Sequence, residues 1–244
     1  VDVDVTKNWD DEANLEGLRP HSITINLVKQ VGENEPEIIN TQKISGHPTD
    51  TSWSFSWTGL PKYEDDEEIV YSVIEPQVDY YTSSVNNYEI VNKRDVEYIN
   101  VSVTKEWSDE ENIEGFRPDS ITVQLKADGQ NKDDTVVLNE ENGWTYKFFD
   151  LLKYQNGQEV QYTVDEVSVP AGYTKSVSGS ADSGFTIVNT HVVEYVTVSG
   201  TKVWDDANDQ DGLRENITLV LTKNGVPFRD AYKKVGLEIE AGTF

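Results

Sequence analysis

The chain has 244 residues, with 45 acidic against 20 basic side chains, and a formal charge of −25. That excess repels phosphate backbones, so nucleic acid is excluded as an expected partner. Cysteine and methionine are absent, which excludes disulfides and thiol chemistry, and no apolar run approaches the length of a membrane span. Val1-Asp2-Val3-Asp4 has no leader character and no wall-sorting motif follows later, so the sequence reads as an internal or truncated piece, with any signal peptide outside it.

In chain order, Val1 to Trp9 alternates apolar and polar residues, which predicts a half-buried strand. An acidic loop and the turn Gly17-Leu18-Arg19-Pro20 follow, then a strand with Ile23, Ile25 and Leu27 on one face. Further strands are expected at Trp53-Ser54-Phe55-Ser56-Trp57, at Tyr71-Ser72-Val73-Ile74-Glu75 and at Ile90-Val91-Asn92, with Leu60-Pro61-Lys62-Tyr63 between the first two. The same order then begins again. Val103-Thr104-Lys105-Glu106-Trp107 repeats Val5-Thr6-Lys7-Asn8-Trp9, and Gly115-Phe116-Arg117-Pro118 repeats the turn. Ile121/Val123/Leu125, Trp144–Phe148, Leu151–Tyr154, Tyr162–Glu166 and Ile187-Val188-Asn189 complete the second copy. A third opens at Gly200-Thr201-Lys202-Val203-Trp204, continues through Gly212-Leu213-Arg214 and a strand at Ile217/Leu219/Leu221, and includes neither the Tyr-x-Val-x-Glu strand nor the terminal Ile-Val-Asn.

The period of about one hundred residues is too long for a solenoid and indicates separate beads, each with its own core. Short alternating strands, turn pairs such as Asp128-Gly129, Asn142-Gly143 and Asn156-Gly157, and no helical periodicity predict an all-β protein of tandem antiparallel β-sandwiches. The boundaries fall at 1–95 and 96–193 for two complete units and 194–244 for a partial third. Between Asn92 and Lys105 there is neither glycine nor proline, so one unit is expected to run almost directly into the next, giving a stiff junction.

Side-chain parity puts three polar residues on the apolar face of each complete unit. Val1, Val3, Val5, Lys7 and Trp9 share a face, as do Val101, Val103, Lys105 and Trp107, and Val196, Val198 and Lys202 in the third copy. Tyr71, Val73 and Glu75 share another, matched by Val160, Tyr162, Val164 and Glu166. Asn92 follows Tyr88 and Ile90, and Asn189 follows Phe185 and Ile187. Burying a lone lysine or glutamate is costly. Three arrangements answer that cost: a buried Lys–Glu ion pair capped by the Asn amide, a strand-end bulge that turns the groups outward, or a reaction. In the reactive arrangement a neutral lysine attacks the carboxamide, the glutamic acid protonates its oxygen, and ammonia leaves.

The strings Val-Thr-Lys-x-Trp, Gly-x-Arg-Pro, Leu-Pro-Lys-Tyr, Tyr-x-Val-x-Glu and Ile-Val-Asn together resemble the B-type repeats of Gram-positive collagen adhesins, the Cna protein B-type domains. The resemblance spans both complete units and the start of the third. It implies a transthyretin-like or inverse immunoglobulin-like sandwich, a stalk role in a cell-wall-anchored surface protein, and an autocatalytic Lys–Asn isopeptide bond. By position it implies Lys7 joined to Asn92 with Glu75 assisting, and Lys105 joined to Asn189 with Glu166 assisting; Lys202 is left as an unpaired candidate. It further implies a host extracellular protein as partner of the full-length adhesin, and covalent wall attachment outside this piece. No turnover enzyme, cofactor or metal is expected.

Four other readings are open to the residues, and one of them, a domain that binds a host ligand directly through loops at a sandwich tip, has no residue that names its ligand. Trp53, Phe55 and Trp57 could form a sugar platform, but period-two spacing on one strand face is what core residues show. Asp205 to Gly212 suggests a calcium loop, yet an EF-hand would need acids at Ala207 and Thr218. His21, His47 and His191 sit in no triad or metal spacing.

Overall fold

The computed structural model describes residues 1–227. The first sandwich comprises β1 (Val3–Asp10), β2 (Ser22–Val31), β3 (Glu37–Ser45), β4 (Ser52–Trp57), β5 (Tyr63–Glu64), β6 (Glu67–Ile74), β7 (Thr82–Asn86) and β8 (Glu89–Lys93). Its sheets run in the orders β4-β1-β8-β7 and β3-β2-β6-β5. The second repeats this with β9 (Tyr98–Ser108), β10 (Ser120–Ala127), β11 (Gln130–Asn139), β12 (Thr145–Leu152), β13 (Tyr154–Gln155), β14 (Gln158–Glu159), β15 (Tyr162–Glu166), β16 (Thr174–Ser180) and β17 (Gly184–Thr190). Here the sheets are β12-β9-β17-β16 and β11-β10-β15, beside the small hairpin β13-β14. Asp128-Gly129 turns β10 into β11, and Asn156-Gly157 turns β13 into β14, each pair at positive φ as a tight hairpin requires.

In the two sandwiches the expected strand faces hold. Val3, Val5 and Lys7 are buried together with Trp9, and Val101, Val103 and Lys105 match them. Val1 is the exception and stays half-exposed, because β1 begins only at Val3. Trp53 and Trp57 are buried in the first core, so they form no surface platform. Each sandwich has its own apolar cluster, one drawn from Val3 to Ile90 and one from Val101 to Ile187.

One pairing departs from an all-antiparallel sandwich. The first and last strands of each unit, β1 with β8 and β9 with β17, run side by side and parallel. The intervening chain builds the whole opposite sheet, which is the long crossover that parallel neighbours need. A parallel pair also starts and leaves the sandwich at opposite poles. This geometry sets the site.

Four residues separate β8 from β9, and the junction they form is knit by side chains. Arg94 forks onto Glu16, with Nε donating to Oε2 at 2.5 Å, and reaches Glu97 at 2.9 Å. Lys153 also donates to Glu97, at 2.9 Å. Gly157 N donates to the Glu16 carbonyl at 2.9 Å. Gly17 has φ +73, and a Cβ there would stand 2.7 Å from Gly157 N, so this close approach requires glycine.

In the second unit His191 occupies the position of Arg94, two residues after the terminal asparagine, and Glu114 that of Glu16. His191 Nε2 lies 2.7 Å from Glu114 Oε2, and Nδ1 lies 2.6 Å from the Gly172 carbonyl oxygen. Both ring nitrogens face acceptors, and an imidazole donates at both only when protonated. The Gly172 and Glu114 contacts accordingly raise its pKa above the ordinary 6.5. The stabilisation from His191 is therefore complete below pH 6.5 and lost as pH rises through its folded value. An NMR titration of His191 should give a midpoint above that of a free histidine, and Glu114→Gln should lower it; an unchanged midpoint would contradict the contact.

Tyr195–Phe244 form a separate unit, of which residues 228–244 lie outside the described part, as does that end of the unit expected at 194–244. Among its described residues the strands are β18 (Thr222–Lys223) and β19 (Val226–Pro227), turned at Asn224-Gly225. The strands expected along Val196–Lys202 and Ile217–Leu221 are not formed. Val196 and Leu219 remain 88% and 66% exposed. No second sheet among the described residues covers that apolar face, and an alternating pattern without burial or a ladder does not hold a strand.

Candidate functional site

The parallel pairing brings the predicted polar residues together. In the first sandwich Lys7 is opposite Ile90 and Asn92 is opposite Trp9, so Lys7 and Asn92 are diagonal neighbours on one buried face. The second repeats the register, with Lys105 opposite Ile187 and Asn189 opposite Trp107. Glu75, just after β6, and Glu166, at the end of β15, reach the same place from the facing sheet. Lys7 and Asn92 are 0% exposed, and Lys105, Glu166 and Asn189 are at most 3% exposed. No strand-end bulge turns them outward.

Lys7 Nζ stands 3.6 Å from Glu75 Oε1, and Asn92 Nδ2 donates to that same oxygen at 3.2 Å. Asn189 Nδ2 likewise donates to Glu166 Oε1 at 3.1 Å. Each carboxyl therefore lies against the carboxamide of its asparagine. Asn92 Oδ1 and Asn189 Oδ1 are buried without a hydrogen-bond partner. The units differ at the carboxyl's far oxygen: Ser83 Oγ donates to Glu75 Oε2 at 2.9 Å, whereas Glu166 Oε2 has no partner.

Burial pulls the Lys7 amine down from the usual 10.5 to about 8, with the Glu75 charge pulling the other way. Lys105 is lowered to about 8 for the same reason, opposed by Glu166. Burial pushes the Glu166 carboxyl up, against the Asn189 hydrogen bond and the Lys105 charge. In the first sandwich the amine and the carboxamide both meet the Glu75 carboxyl; in the second the carboxamide meets Glu166 while the Lys105 amine donates to the Glu106 carbonyl at 2.6 Å. Amine, carboxyl and carboxamide are the groups that amide exchange between side chains requires.

A second buried cluster lies beside each site. Arg19 forks onto Asp11, with Nη2 to Oδ1 at 2.6 Å and Nε to Oδ2 at 3.0 Å, and Tyr81 donates to Asp11 Oδ2 at 2.7 Å. Arg117, Asp109 and Tyr173 repeat it, with Tyr173 to Asp109 at 2.8 Å. Burial alone would raise Asp11; the Arg19 and Tyr81 contacts hold it below the usual value. The Arg117 fork likewise holds Asp109 at about 2. From the sequence the Gly-x-Arg motif is legible only as a turn. The signal available was an aspartate eight residues before the arginine in all three copies, Asp11, Asp109 and Asp206. Asp206, weighed as part of a calcium loop, accepts the Arg214 fork at 2.5 and 2.7 Å. Lys202 is exposed and donates to the Val203 carbonyl.

Tandem β-sandwiches that each bury a Lys–Glu–Asn cluster between parallel first and last strands define a class of modular repeat protein. The chain belongs to the Cna protein B-type domain family, whose model matches residues 3–93, 101–190 and 198–241. It is similar to a collagen adhesin of Staphylococcus aureus, 36% identical over 220 residues, covering 90% of this chain and 18% of that protein's length. A crystal structure of two B repeat units of the collagen-binding protein of Staphylococcus aureus is 34% identical, covering 88% of this chain and 56% of that one, with a TM-score of 0.45. A single B repeat unit of the same protein is 32% identical, covering 79% and 99% respectively, with a TM-score of 0.39.

Proposed function

We propose that these repeats form part of the stalk of a cell-wall-anchored surface adhesin, each complete sandwich braced by an isopeptide bond that it makes itself. Lys7 would join Asn92 and Lys105 would join Asn189, with Glu75 and Glu166 moving the protons. The observation that carries this is the matching register of lysine and asparagine in both buried interiors, with each asparagine hydrogen-bonded to a glutamate from the facing sheet. The neutral amine forms a bond to Cγ, the Cγ–Nδ2 bond breaks, and the amine's proton passes through the carboxyl to the leaving nitrogen, which departs as ammonia. No electrons are exchanged and no cofactor is needed. Proximity in a folded core supplies much of the rate. Each bond forms once, so the chain is not a turnover enzyme.

The mechanical role follows from the parallel pair. Tension enters through the first strand and leaves through the last, and a covalent tie between them carries load that would otherwise shear the ladder. A wall-anchored, extracellular setting and a host protein bound elsewhere in the full-length adhesin are the parts of this reading that rest on family membership. The buried Trp53 and Trp57 favour no carbohydrate platform.

Intact mass spectrometry of the whole chain tests the chemistry. Two ammonia masses should be missing, and Lys7→Ala, Asn92→Ala, Lys105→Ala or Asn189→Ala should each restore one. The reactive pair holds one proton in total, so the rate after refolding should be bell-shaped in pH. Its alkaline limb should lie near the lysine value of about 8. A full, unreduced mass for the folded chain would end the proposal.

A further inference from the structure

The arginine cluster and the reactive lysine share one indole. Lys7 Nζ lies 4.4 Å and Arg19 Cζ 4.9 Å from the centre of the Trp9 ring. In the second sandwich Lys105 Nζ lies 3.7 Å and Arg117 Cζ 5.4 Å from that of Trp107. Trp9 and Trp107 are gripped edge-on by Tyr81 and Tyr173, each at 5.1 Å, and these tyrosines are the ones that donate to the aspartates. The loop that returns the arginine is costly to build. Glu12, Ala13 and Asn14 all have φ between 50° and 63°, as do Ala207, Asn208 and Asp209 between 52° and 63°, and Glu110, Glu111 and Asn112 between 49° and 62°. Runs of left-handed, non-glycine residues persist only where surrounding contacts enforce them. Here the contacts are the aspartate–arginine fork and the hydrogen bond from the arginine's own N–H to Asn14, Asn112 or Asp209.

The third copy separates this arrangement from the sandwich. Among the described residues after Glu194 there is no sandwich, yet Lys202 Nζ rests 4.1 Å from the Trp204 ring and Arg214 Cζ 5.7 Å from it, with Asp206 forked onto Arg214. Among the described residues, the segment from Lys202 to Arg214 holds the amine on the indole outside any sandwich. The sequence of this copy has neither the glutamate nor the asparagine strand.

We propose that Arg19 and Arg117 are positioning residues for isopeptide formation, each anchoring the indole on which the lysine amine rests before the last strand delivers its asparagine. This rests on the bond formation proposed above. The arginine acts in two ways, by holding the ring and by placing a positive charge beside the amine. The charged groups acting on Lys105 are Glu166 from β15, Arg117 and Asp109 from the loop after β9, and Glu106 from β9 itself. Arg117 is among those that favour its neutral form.

The test uses the full chain, recovered unfolded and unreacted in denaturant, then refolded across a pH series with ammonia loss followed by intact mass. In Arg117→Gln, loss from the second sandwich should slow at least about tenfold, a misplacement effect. Loss from the first sandwich of the same molecule should keep its wild-type rate. The alkaline limb of the second should also move to higher pH, because removing a neighbouring cation keeps the lysine protonated longer. Arg117→Lys keeps the charge without the planar fork, so it should lower the plateau and leave the limb in place. Equal slowing in both variants with no movement of the limb would reduce the arginine to a folding role and overturn the inference. So would an unchanged rate in Arg117→Gln. If Arg117→Gln leaves the second sandwich unfolded by tryptophan fluorescence, Arg117→Lys decides, and a wild-type plateau there overturns it. Two ammonia losses in the wild type keep the bond-forming reading intact whichever way these variants fall.

Discussion

Asn189→Ala should lower the unfolding temperature of the second sandwich by about 20–30 °C while leaving the transition of the first close to its wild-type value. The proposed bond closes a loop of about 85 residues, which is worth about 4–5 kcal/mol if the chain-entropy arithmetic for disulfides carries over. For a domain of this size each kcal/mol shifts the midpoint by about 4–8 °C. The same replacement leaves the Lys105 amine free in a site that disfavours its charge. Differential scanning calorimetry of the variant beside Asn92→Ala would show which transition moves in each chain. A shift of only a few degrees in either would mean that no long loop had been held closed.

Asp11→Ala should cost the first sandwich about 3–5 kcal/mol, the range for removing one partner of a buried ion pair. The Arg19 side chain is 0% exposed and would keep only its bond to the Asp50 carbonyl, while the Tyr81 hydroxyl would lose its acceptor. Asp109→Ala should cost less, because the Arg117 side chain is 26% exposed and water can reach it. Denaturant unfolding of both variants would give the ordering. Equal losses would mean that burial of the arginine is not what sets the cost. A double variant, Asp11→Ala with Arg19→Met, should recover part of the loss, since it leaves no unpaired charge.

The isopeptide triad and the aspartate–arginine cluster differ in how far local sequence reveals them. Lys7, Glu75 and Asn92, like Lys105, Glu166 and Asn189, were legible from parity alone. An alternating strand has only two faces, and each of these residues falls on the apolar one in both copies. Ile74 and Val91 blurred the count in the first unit; the fold leaves Ile74 exposed on the outer face and Val91 half-buried. The Asp11–Arg19–Tyr81 cluster was less legible because its members come from a loop and from a residue seventy positions away. The repeated aspartate was visible, its partner tyrosine was not.

Sequence by itself determined the repeat, the strand faces and the identity of the buried polar residues, because these depend on the period of side chains along one strand. The parallel pairing of first and last strands was decided only in three dimensions, since alternation says which face a residue takes and nothing about which strand lies beside it. The third copy makes the same division plain. Its lysine, tryptophan and arginine assemble from neighbouring residues, whereas Val196, Val198 and Leu219 form no strand, because a pattern becomes a strand only when another surface covers it.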